Sequence, residues 1–178
     1  MGFSPIFRIY YLQMIYSTVS LCEREHVKKI REIMSWIQLW VHLVFSTKNR
    51  HPFFHSPEVR SEVLGHIREY AETKKIYIDS LNGHKEHVHC LLSLGKEQSI
   101  SKVTQLLKGE SSFWINRNGI LDRRFSWQDD YWAVSVSKSH LPEVRKYIRS
   151  QEVHHKQVSF QEEIEEFMKE HGWMYIKE

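Results

Sequence analysis

Residues 76–94 read IYIDSLNGHKEHVHCLLSL, and this stretch decides the fold. Two apolar runs, residues 76–80 and 86–94, flank an Asn82-Gly83 pair, which is a strong signal for a tight turn. The pattern predicts two antiparallel strands joined as a hairpin. Successive side chains of each strand then point to opposite faces of the sheet.

A strand and a helix are predicted before this hairpin. Residues 36–46, WIQLWVHLVFS, are rich in β-branched and aromatic side chains, as is typical of a core strand. Ser56 is a good N-cap for a helix that has Pro57 at its first position and Glu58 in its first turn. The apolar residues that follow at helical spacing are Val59, Val63, Ile67 and Tyr70.

A helix, a strand and two more helices are predicted after the hairpin. The apolar positions of the first of these helices are Ile100, Val103 and Leu107. Residues 131–136, YWAVSV, read as a fourth strand, and Ser139 is expected to cap a third helix with Pro142 in its first turn. Ser159 and Glu162 have the spacing of a capping box and predict the start of a fourth helix.

The order of these elements is β-α-β-β-α-β followed by two helices. This order predicts an α+β fold of the ferredoxin-like kind, with an antiparallel sheet, helices on one face and additional C-terminal helices. Many unrelated activities use this fold, so it does not by itself indicate a function.

The 178 residues suit one domain, which we place at residues 34–178. Residues 1–33 form an N-terminal extension of unknown role, because their apolar and charged stretches show little clean periodicity. Two interpretations stay open for them. They are a loosely attached helical extension, or translation begins at Met34.

The composition points to an intracellular protein with local basic surfaces. Its 25 Lys and Arg are nearly balanced by 22 acidic residues, so the distribution of charge matters more than the net value of +3. Two cysteines cannot form a disulfide framework, which favours a reducing cytosol. No apolar run is long enough to cross a membrane, and no secretory signal is recognisable.

Two histidines in the third strand are candidates for metal binding. His87 and His89 are two residues apart and therefore share one face, whereas Val88, Cys90 and Leu92 share the other. Imidazole is a common metal ligand. A pair of exposed or hydrogen-bonded histidines with no metal is the alternative.

A tyrosine and a glutamine in the third helix form a second candidate pair. Tyr147 and Gln151 are four residues apart, so they are expected to lie on one helical face. A packed tyrosine and a solvated glutamine are the alternative. Arg145, Lys146 and Arg149 of the same helix suit DNA phosphates, and they are equally typical of a solvated face.

Taken together, these motifs resemble the single-tyrosine HUH transposases of small insertion sequences and of repetitive extragenic palindromes. The resemblance rests on His87-Val88-His89, on Tyr147-Ile148-x-x-Gln151, and on three further stretches of the chain. These stretches are WVHLVFSTK at 40–48, LKGESS at 107–112, and WQ at 127–128 leading into YWAVSVS at 131–137. The resemblance covers about residues 36–175 in the right order.

The resemblance implies a metal-dependent enzyme that cuts and joins single-stranded DNA. His87, His89 and Gln151 are then the ligands of Mg²⁺ or Mn²⁺, and Tyr147 attacks the phosphodiester to form a 5′-phosphotyrosine. Relatives often carry Asn or Asp before the first histidine, whereas this chain has Glu86. That neighbour is expected to affect the metal preference more than the reaction.

The resemblance also implies the partners and the location. Single-stranded DNA with a hairpin is the expected substrate, and a homodimer is expected in which the tyrosine helix of one subunit completes the partner's site. Membrane association is not expected, and the place of action is the bacterial cytoplasm, at the nucleoid. The candidate DNA-binding residues are Lys48, Arg50, Lys108, Trp127, Arg145, Lys146 and Arg149. Trp127 is included because its ring offers a face on which unpaired bases can stack, and packing in the core is the alternative.

Two other functions are compatible with the sequence. One is a catalytically inactive or host-adapted module of the same fold that only binds hairpin DNA. The other is a metal-dependent nuclease in which water, and not Tyr147, attacks the phosphate. A covalent protein–DNA adduct distinguishes the tyrosine mechanism from both.

Overall fold

The computed structural model describes residues 37–172, and the extension expected at residues 1–33 lies outside this range. The described chain contains four strands, five helices and two short 3₁₀ turns. The strands are β1 (Leu39–Ser46), β2 (Tyr77–Gly83), β3 (His87–Leu94) and β4 (Trp132–Val136). The helices are α1 (Pro57–Thr73), α2 (Ile100–Arg117), α3 (Leu141–Arg149), α4 (Gln151–His154) and α5 (Phe160–Glu170).

The four strands form one antiparallel sheet in the order β2-β3-β1-β4. The two central strands are thus the first strand of the chain and the strand that carries His87 and His89. Their register places Val44 opposite His89 and Ser46 opposite His87. The sheet order and the sequence of elements confirm the predicted ferredoxin-like α+β fold.

Helices α1 and α2 cover one face of the sheet and form the main core with it. Val88, Cys90 and Leu92 of β3 point to this face, as the alternation predicted, and each is at most 1% exposed. They pack with apolar residues from the two helices, among them Val63, Ile67 and Leu107. This face supplies most of the apolar burial that stabilises the domain.

The three C-terminal helices cover the opposite face. Leu91 of β3 packs with Leu141 and Ile148 of α3, and Val44 of β1 packs with Phe160 and Ile164 of α5. Helix α5 starts where the sequence predicted, because Ser159 and Glu162 form both hydrogen bonds of a capping box. Within residues 37–172, no helix has the length and apolar character needed to cross a membrane.

The hairpin turn is displaced from its predicted position. Asn82 and Gly83 belong to β2, and the chain turns at residues 84–86, where the backbone N–H of His84 donates to the His87 carbonyl at 3.1 Å. A Cβ at Gly83 would lie 2.3 Å from that carbonyl oxygen, so close backbone approach requires this glycine. Asn82 donates to the Ile148 carbonyl at 2.8 Å and thereby caps the end of α3.

Helix α3 differs from the prediction at both ends. Ser139 lies in a 3₁₀ turn, and the residue before α3 is His140, whose side chain makes no capping hydrogen bond. At the other end the backbone N–H of Ser150 bonds to the Lys146 and Tyr147 carbonyls and interrupts the helix. Tyr147 and Gln151 therefore lie on two consecutive helices and not on one. The first strand also begins later than expected, at Leu39.

Candidate metal and tyrosine site

His87 and His89 lie on the sheet face that the C-terminal helices cover. Their side chains are fully buried, with total exposure of 0% and 2%. Their position follows from the period of a strand, since the intervening Val88 belongs to the main core on the other face. Buried imidazoles need polar partners, and the C-terminal segment supplies them.

Gln151 and His155 reach His87 from the helical segment after α3. Gln151 is fully buried, and its Oε1 lies 3.4 Å from His87 Nε2. His155 Nε2 lies 3.0 Å from His87 Nε2 and 2.9 Å from Gln151 Oε1. The interruption at Ser150 redirects the chain so that these two side chains converge on the first histidine of the pair.

Helix α5 adds a carboxylate to the same place. Glu163 Oε1 lies 3.4 Å from His89 Nε2, and its Oε2 lies 3.2 Å from His155 Nε2. The ring of Phe160 stacks on His87 with centroids 4.0 Å apart and planes 7° apart. Ligand atoms of His87, His89, His155 and Glu163 all lie within 4.8 Å of one another. We call these four residues and Gln151 the donor cluster.

Tyr147 stands at the edge of the donor cluster. Its hydroxyl donates a hydrogen bond to Glu163 Oε1, and its ring centroid is 5.4 Å from that of His89, with the rings perpendicular. The structure thus brings Tyr147, His87, His89 and Gln151 together within one chain. The tyrosine expected to serve a partner subunit lies beside the histidines of its own chain.

Two further side chains orient the histidines from behind. His42 Nε2 is 3.1 Å from His89 Nδ1, and Glu86 Oε1 is 3.4 Å from His87 Nδ1. In metal sites, the ring nitrogen that does not bind the ion commonly contacts such a partner, which fixes the tautomer and the ring orientation. Glu86 therefore lies behind the first histidine of the motif.

Burial keeps His42, His89 and His155 neutral. Desolvation, with the nearby His87 as the next cause, lowers the pKa of His89 well below its ordinary value and that of His155 to about 4. Burial together with His171 lowers the pKa of His42 to about 4. A neutral imidazole keeps a lone pair for a metal, so His89 and His155 are in the protonation state that metal binding requires at neutral pH.

The carboxyl group of Glu163 is shifted toward its neutral form. Burial, followed by the charges of Glu86 and Glu166, raises the pKa of Glu163 to about 8. Among residues 37–172, His89 Nε2 and Glu163 Oε2 are buried side-chain atoms without a hydrogen-bond partner. Buried polar atoms without partners are costly, and a divalent ion would satisfy both. The residues present therefore fit a metal ion.

A cavity of about 320 Å³ opens beside the cluster. Its wall includes His89, Trp132, Tyr147, Phe160 and Glu163. Such a volume is at the lower end of the range for small-molecule sites. A reactive group could therefore approach the Tyr147 hydroxyl and the donor cluster from this side.

Most predicted DNA-binding cations lie on surfaces away from the cluster and already have partners. Lys48 forms an ion pair with Asp129 at 2.7 Å, and Lys108 donates to two backbone carbonyls. Arg145 forms a two-bond ion pair with Asp79, at 2.8 and 2.9 Å. Arg50 bonds to Gln161, whereas Lys146 and Arg149 line a shallow surface depression on α3.

Trp127 is part of the core, which corrects its assignment as a base-stacking residue. It is only 5% exposed, and its ring packs edge-on against Phe45 and Phe125. Its indole N–H donates to Ser111 Oγ at 2.9 Å. A ring enclosed in this way has no free face for an unpaired base.

His155 and Glu163 were not among the residues expected at the site. His155 follows Gln151 by four positions, so helical spacing could have indicated that the two lie together. Glu163 carries no comparable signal, because only the docking of α5 brings it to the histidines. His42 lies on β1 and was likewise recognisable only from the strand register, which places it opposite Leu91.

The comparisons with known proteins match the part of the chain that carries this site. The profile of the IS200-like transposase family matches residues 35–151. ISDra2 transposase TnpA of Deinococcus radiodurans is 27% identical over 119 residues, which are 64% of this chain and 84% of that protein.

Two solved structures share the fold. A candidate transposase from Deinococcus radiodurans R1 has a TM-score of 0.53 and 24% identity, covering 66% of this chain and 93% of that one. A REP-associated tyrosine transposase bound to a REP hairpin has a TM-score of 0.52 and 18% identity, covering 70% and 73%. The family profile spans more than half of the chain and includes His87, His89, Tyr147 and Gln151. The chain therefore belongs to the IS200-like transposase family.

Proposed function

We propose that this transposase cuts and rejoins single-stranded DNA through Tyr147. The observation that carries the proposal is the position of the Tyr147 hydroxyl, which lies at the donor cluster of its own chain and donates to Glu163. Family membership supports DNA transposition. The cluster and the adjacent nucleophile support the covalent route over attack by water.

The reaction of Tyr147 with a phosphodiester is a substitution at phosphorus. A bond forms between Tyr147 Oη and phosphorus, and the bond to the 3′-oxygen of the preceding nucleotide breaks. The phenolic pKa is ordinarily about 10, so an acceptor for the proton is needed. Glu163 Oε1 already accepts that hydrogen bond, and in its ionised form, which a cation held at the adjacent histidines would favour, it takes the proton, while the departing 3′-oxygen takes one from water.

The products are a 5′-phosphotyrosine and a free 3′-hydroxyl. The energy of the phosphodiester is kept in the covalent link to Tyr147. A different 3′-hydroxyl can then displace the tyrosine and join two strands without ATP. One protein therefore serves both cleavage and strand transfer.

His87, His89 and Gln151 would hold a divalent ion, either Mg²⁺ or Mn²⁺. When bound, such an ion supplies positive charge that stabilises the phosphate oxygens and the leaving oxygen. The chain's own contribution is to keep His89 neutral by burial and to orient His89 from His42 and His87 from Glu86. The amide oxygen of Gln151 points at His87 from the segment after the nucleophile helix.

Single-stranded DNA with a hairpin is the proposed substrate. A relative of the same fold is bound to a REP hairpin. Lys146 and Arg149 lie on the outer surface of the nucleophile helix, where they suit backbone phosphates, and Lys48 and Arg50 follow β1. Hairpin DNA should bind more tightly than a blunt duplex of the same sequence, and added salt should weaken binding steeply.

The position of Tyr147 beside its own His89 supports a site that is complete within one chain. The homodimer stays a prediction, which sedimentation can test. The exchange of tyrosine helices between its subunits is a second prediction, which mixing of two differently inactivated variants can test. Activity restored by mixing Tyr147→Phe with His87→Ala would indicate sites shared between subunits. Action at the bacterial nucleoid follows from the proposed function and also stays a prediction.

The decisive experiment is covalent trapping. Wild-type protein, incubated with Mn²⁺ and single-stranded DNA from the flanks of its own gene, should give a band shifted by the attached DNA. Tyr147→Phe should give neither adduct nor cleavage while retaining hairpin binding, because only the nucleophilic oxygen is lost. Tyr77→Phe is the matched control, since Tyr77 is 59% exposed on β2.

Each alternative function has its own outcome in this experiment. Hairpin binding without cleavage by the wild type would indicate an inactive binding module. Cleavage that persists in Tyr147→Phe, with no adduct in the wild type, would indicate hydrolysis by water.

A further inference from the structure

We propose that His155 and Glu163 are two further metal ligands, which convert the two-histidine site into one that prefers Mn²⁺ or a similar transition ion over Mg²⁺. The inference rests on the proposed function and deepens it. Three imidazoles and one carboxylate would then surround the ion, with the Gln151 amide as a fifth donor. Neither His155 nor Glu163 belongs to the histidine pair or to the tyrosine–glutamine motif.

The tautomer of His155 leaves its inner nitrogen with a lone pair that a cation can use. Its Nδ1 lies 2.9 Å from the Val158 carbonyl, which can only accept, so in the neutral ring Nδ1 carries the proton. Nε2 is then a lone pair. It nevertheless lies 2.9 Å from Gln151 Oε1, which can only accept, and 3.2 Å from Glu163 Oε2, which becomes an acceptor once a bound cation favours the ionised acid.

Electron-rich atoms at such distances repel one another unless positive charge lies between them. The separations are also those of neighbouring ligands around one ion. Ligands bound at about 2.1 Å in an octahedral shell lie about 3 Å apart. Here the neighbouring donor atoms are 2.9 to 3.4 Å apart among His87 Nε2, Gln151 Oε1, His155 Nε2 and Glu163 Oε2.

The two oxygens of Glu163 face different groups. Oε1 accepts the hydrogen bond of Tyr147, whereas Oε2 is buried without a hydrogen-bond partner and faces His155. Oε2 is therefore the oxygen that would bind the ion. The same carboxylate would then bind the metal through Oε2 and position the Tyr147 hydroxyl through Oε1. The position of the nucleophile would therefore depend on whether the metal is bound.

The chemical character of these donors sets the preference among metals. Mg²⁺ favours oxygen ligands, keeps several waters and is seldom held by protein cages. Imidazole favours transition ions, and Mn²⁺ accepts mixed nitrogen and oxygen shells. Removing His155 and Glu163 would leave two imidazoles and an amide, and the preference for Mn²⁺ over Mg²⁺ should then become smaller.

The test is calorimetric titration of MnCl₂ and MgCl₂ into the full-length protein after removal of metal with EDTA. Wild type should bind Mn²⁺ at least about 10-fold more tightly than Mg²⁺. His155→Ala and the nearly isosteric Glu163→Gln should each weaken Mn²⁺ binding by about 10-fold or more. His140→Ala and Glu165→Gln are matched controls on exposed positions outside the cluster and should bind as wild type.

Thermal unfolding in EDTA accompanies each titration and identifies any variant that loses its fold. Glu163→Gln keeps the shape of the side chain, so it decides the question even if His155→Ala unfolds. Loss of Mn²⁺ binding in His87→Ala, with wild-type affinity in both His155→Ala and Glu163→Gln, overturns the inference and leaves the proposed metal site intact. Absence of Mn²⁺ binding by the wild type overturns both. Tighter binding of Mg²⁺ than of Mn²⁺ overturns the preference.

Discussion

The two faces of strand β3 are equally buried but have different roles. Toward α1 and α2, Val88, Cys90 and Leu92 are apolar and contribute to stability through packing. Toward α3 and α5, His87 and His89 are polar, with buried ring nitrogens that lack hydrogen-bond partners. Because successive side chains of a strand point to opposite faces, β3 presents residues that stabilise the fold on one face and the candidate metal ligands on the other. Changes on the first face should affect stability, and changes on the second should affect metal binding and activity.

The largest expected effect is on the histidine face. His87→Ala or His89→Ala should lower cleavage at least about 1000-fold in both Mg²⁺ and Mn²⁺, because a weakly held ion cannot lose a ligand. Gln151→Ala should be milder, since water can replace an amide oxygen. Cleavage rates with hairpin DNA are the measurement. Unfolding in EDTA reports separately the cost of the cavity that a lost buried ring leaves, and wild-type cleavage by His87→Ala would exclude this metal site.

The apolar face should respond in the opposite way. Leu92→Ala should lower the free energy of unfolding by about 2–5 kcal/mol, through lost burial and a residual cavity. Mn²⁺ affinity of the folded protein should stay unchanged. Urea unfolding and calorimetry at low temperature test this. Leu92→Met is the control, with a cost below about 1.5 kcal/mol. Weakened Mn²⁺ binding in folded Leu92→Ala would show that the two faces are coupled.

Acid should destabilise the metal-free protein through the histidine face. His42 and His155 have folded pKa values of about 4, and the pKa of His89 is also lowered, so the unfolded chain binds more protons from about pH 6.5 downward. Stability is therefore lost as the pH falls from 6.5 toward 4. Glu163 opposes this, because its raised pKa of about 8 gives stability that is lost as the pH rises through that value.

The net loss between pH 7 and pH 5 should be about 2–4 kcal/mol. Urea unfolding in EDTA at both pH values is the measurement. Glu163→Gln removes the opposing contribution, so its loss over the same interval should be larger. Equal stability of the wild type at pH 7 and pH 5 would contradict the burial of neutral histidines. A smaller loss in Glu163→Gln than in the wild type would contradict the raised pKa of Glu163.

The smallest expected effect concerns Trp127, which belongs to the apolar face. Trp127→Phe should lower stability by about 1 kcal/mol, because the hydrogen bond to Ser111 is lost and the ring is smaller. Affinity for hairpin DNA should not change. Filter binding beside thermal unfolding tests both statements. A clear drop in DNA affinity at unchanged stability would restore the role of Trp127 in base stacking.

Local signals predicted most of the fold correctly. The period of two placed His87 and His89 opposite Val88, and the box of Ser159 and Glu162 located the start of α5. These features depend on residues a few positions apart, and the short-range sterics and hydrogen bonds that cause them act the same way in any context. The turn predicted at Asn82-Gly83 was wrong because contacts with distant residues determine this position. Asn82 bonds to the end of α3, and Gly83 contacts the next strand.

The sequence by itself determined the order of the elements and the motif residues His87, His89, Tyr147 and Gln151. Only the tertiary structure decided which other side chains join them. Glu163 reaches His89 across 74 positions of the chain because α5 docks on the sheet through Phe160 and Ile164. The burial of Trp127 is likewise a result of packing by distant residues. Such contacts depend on the summed apolar burial of separate elements, which no local pattern of residues encodes.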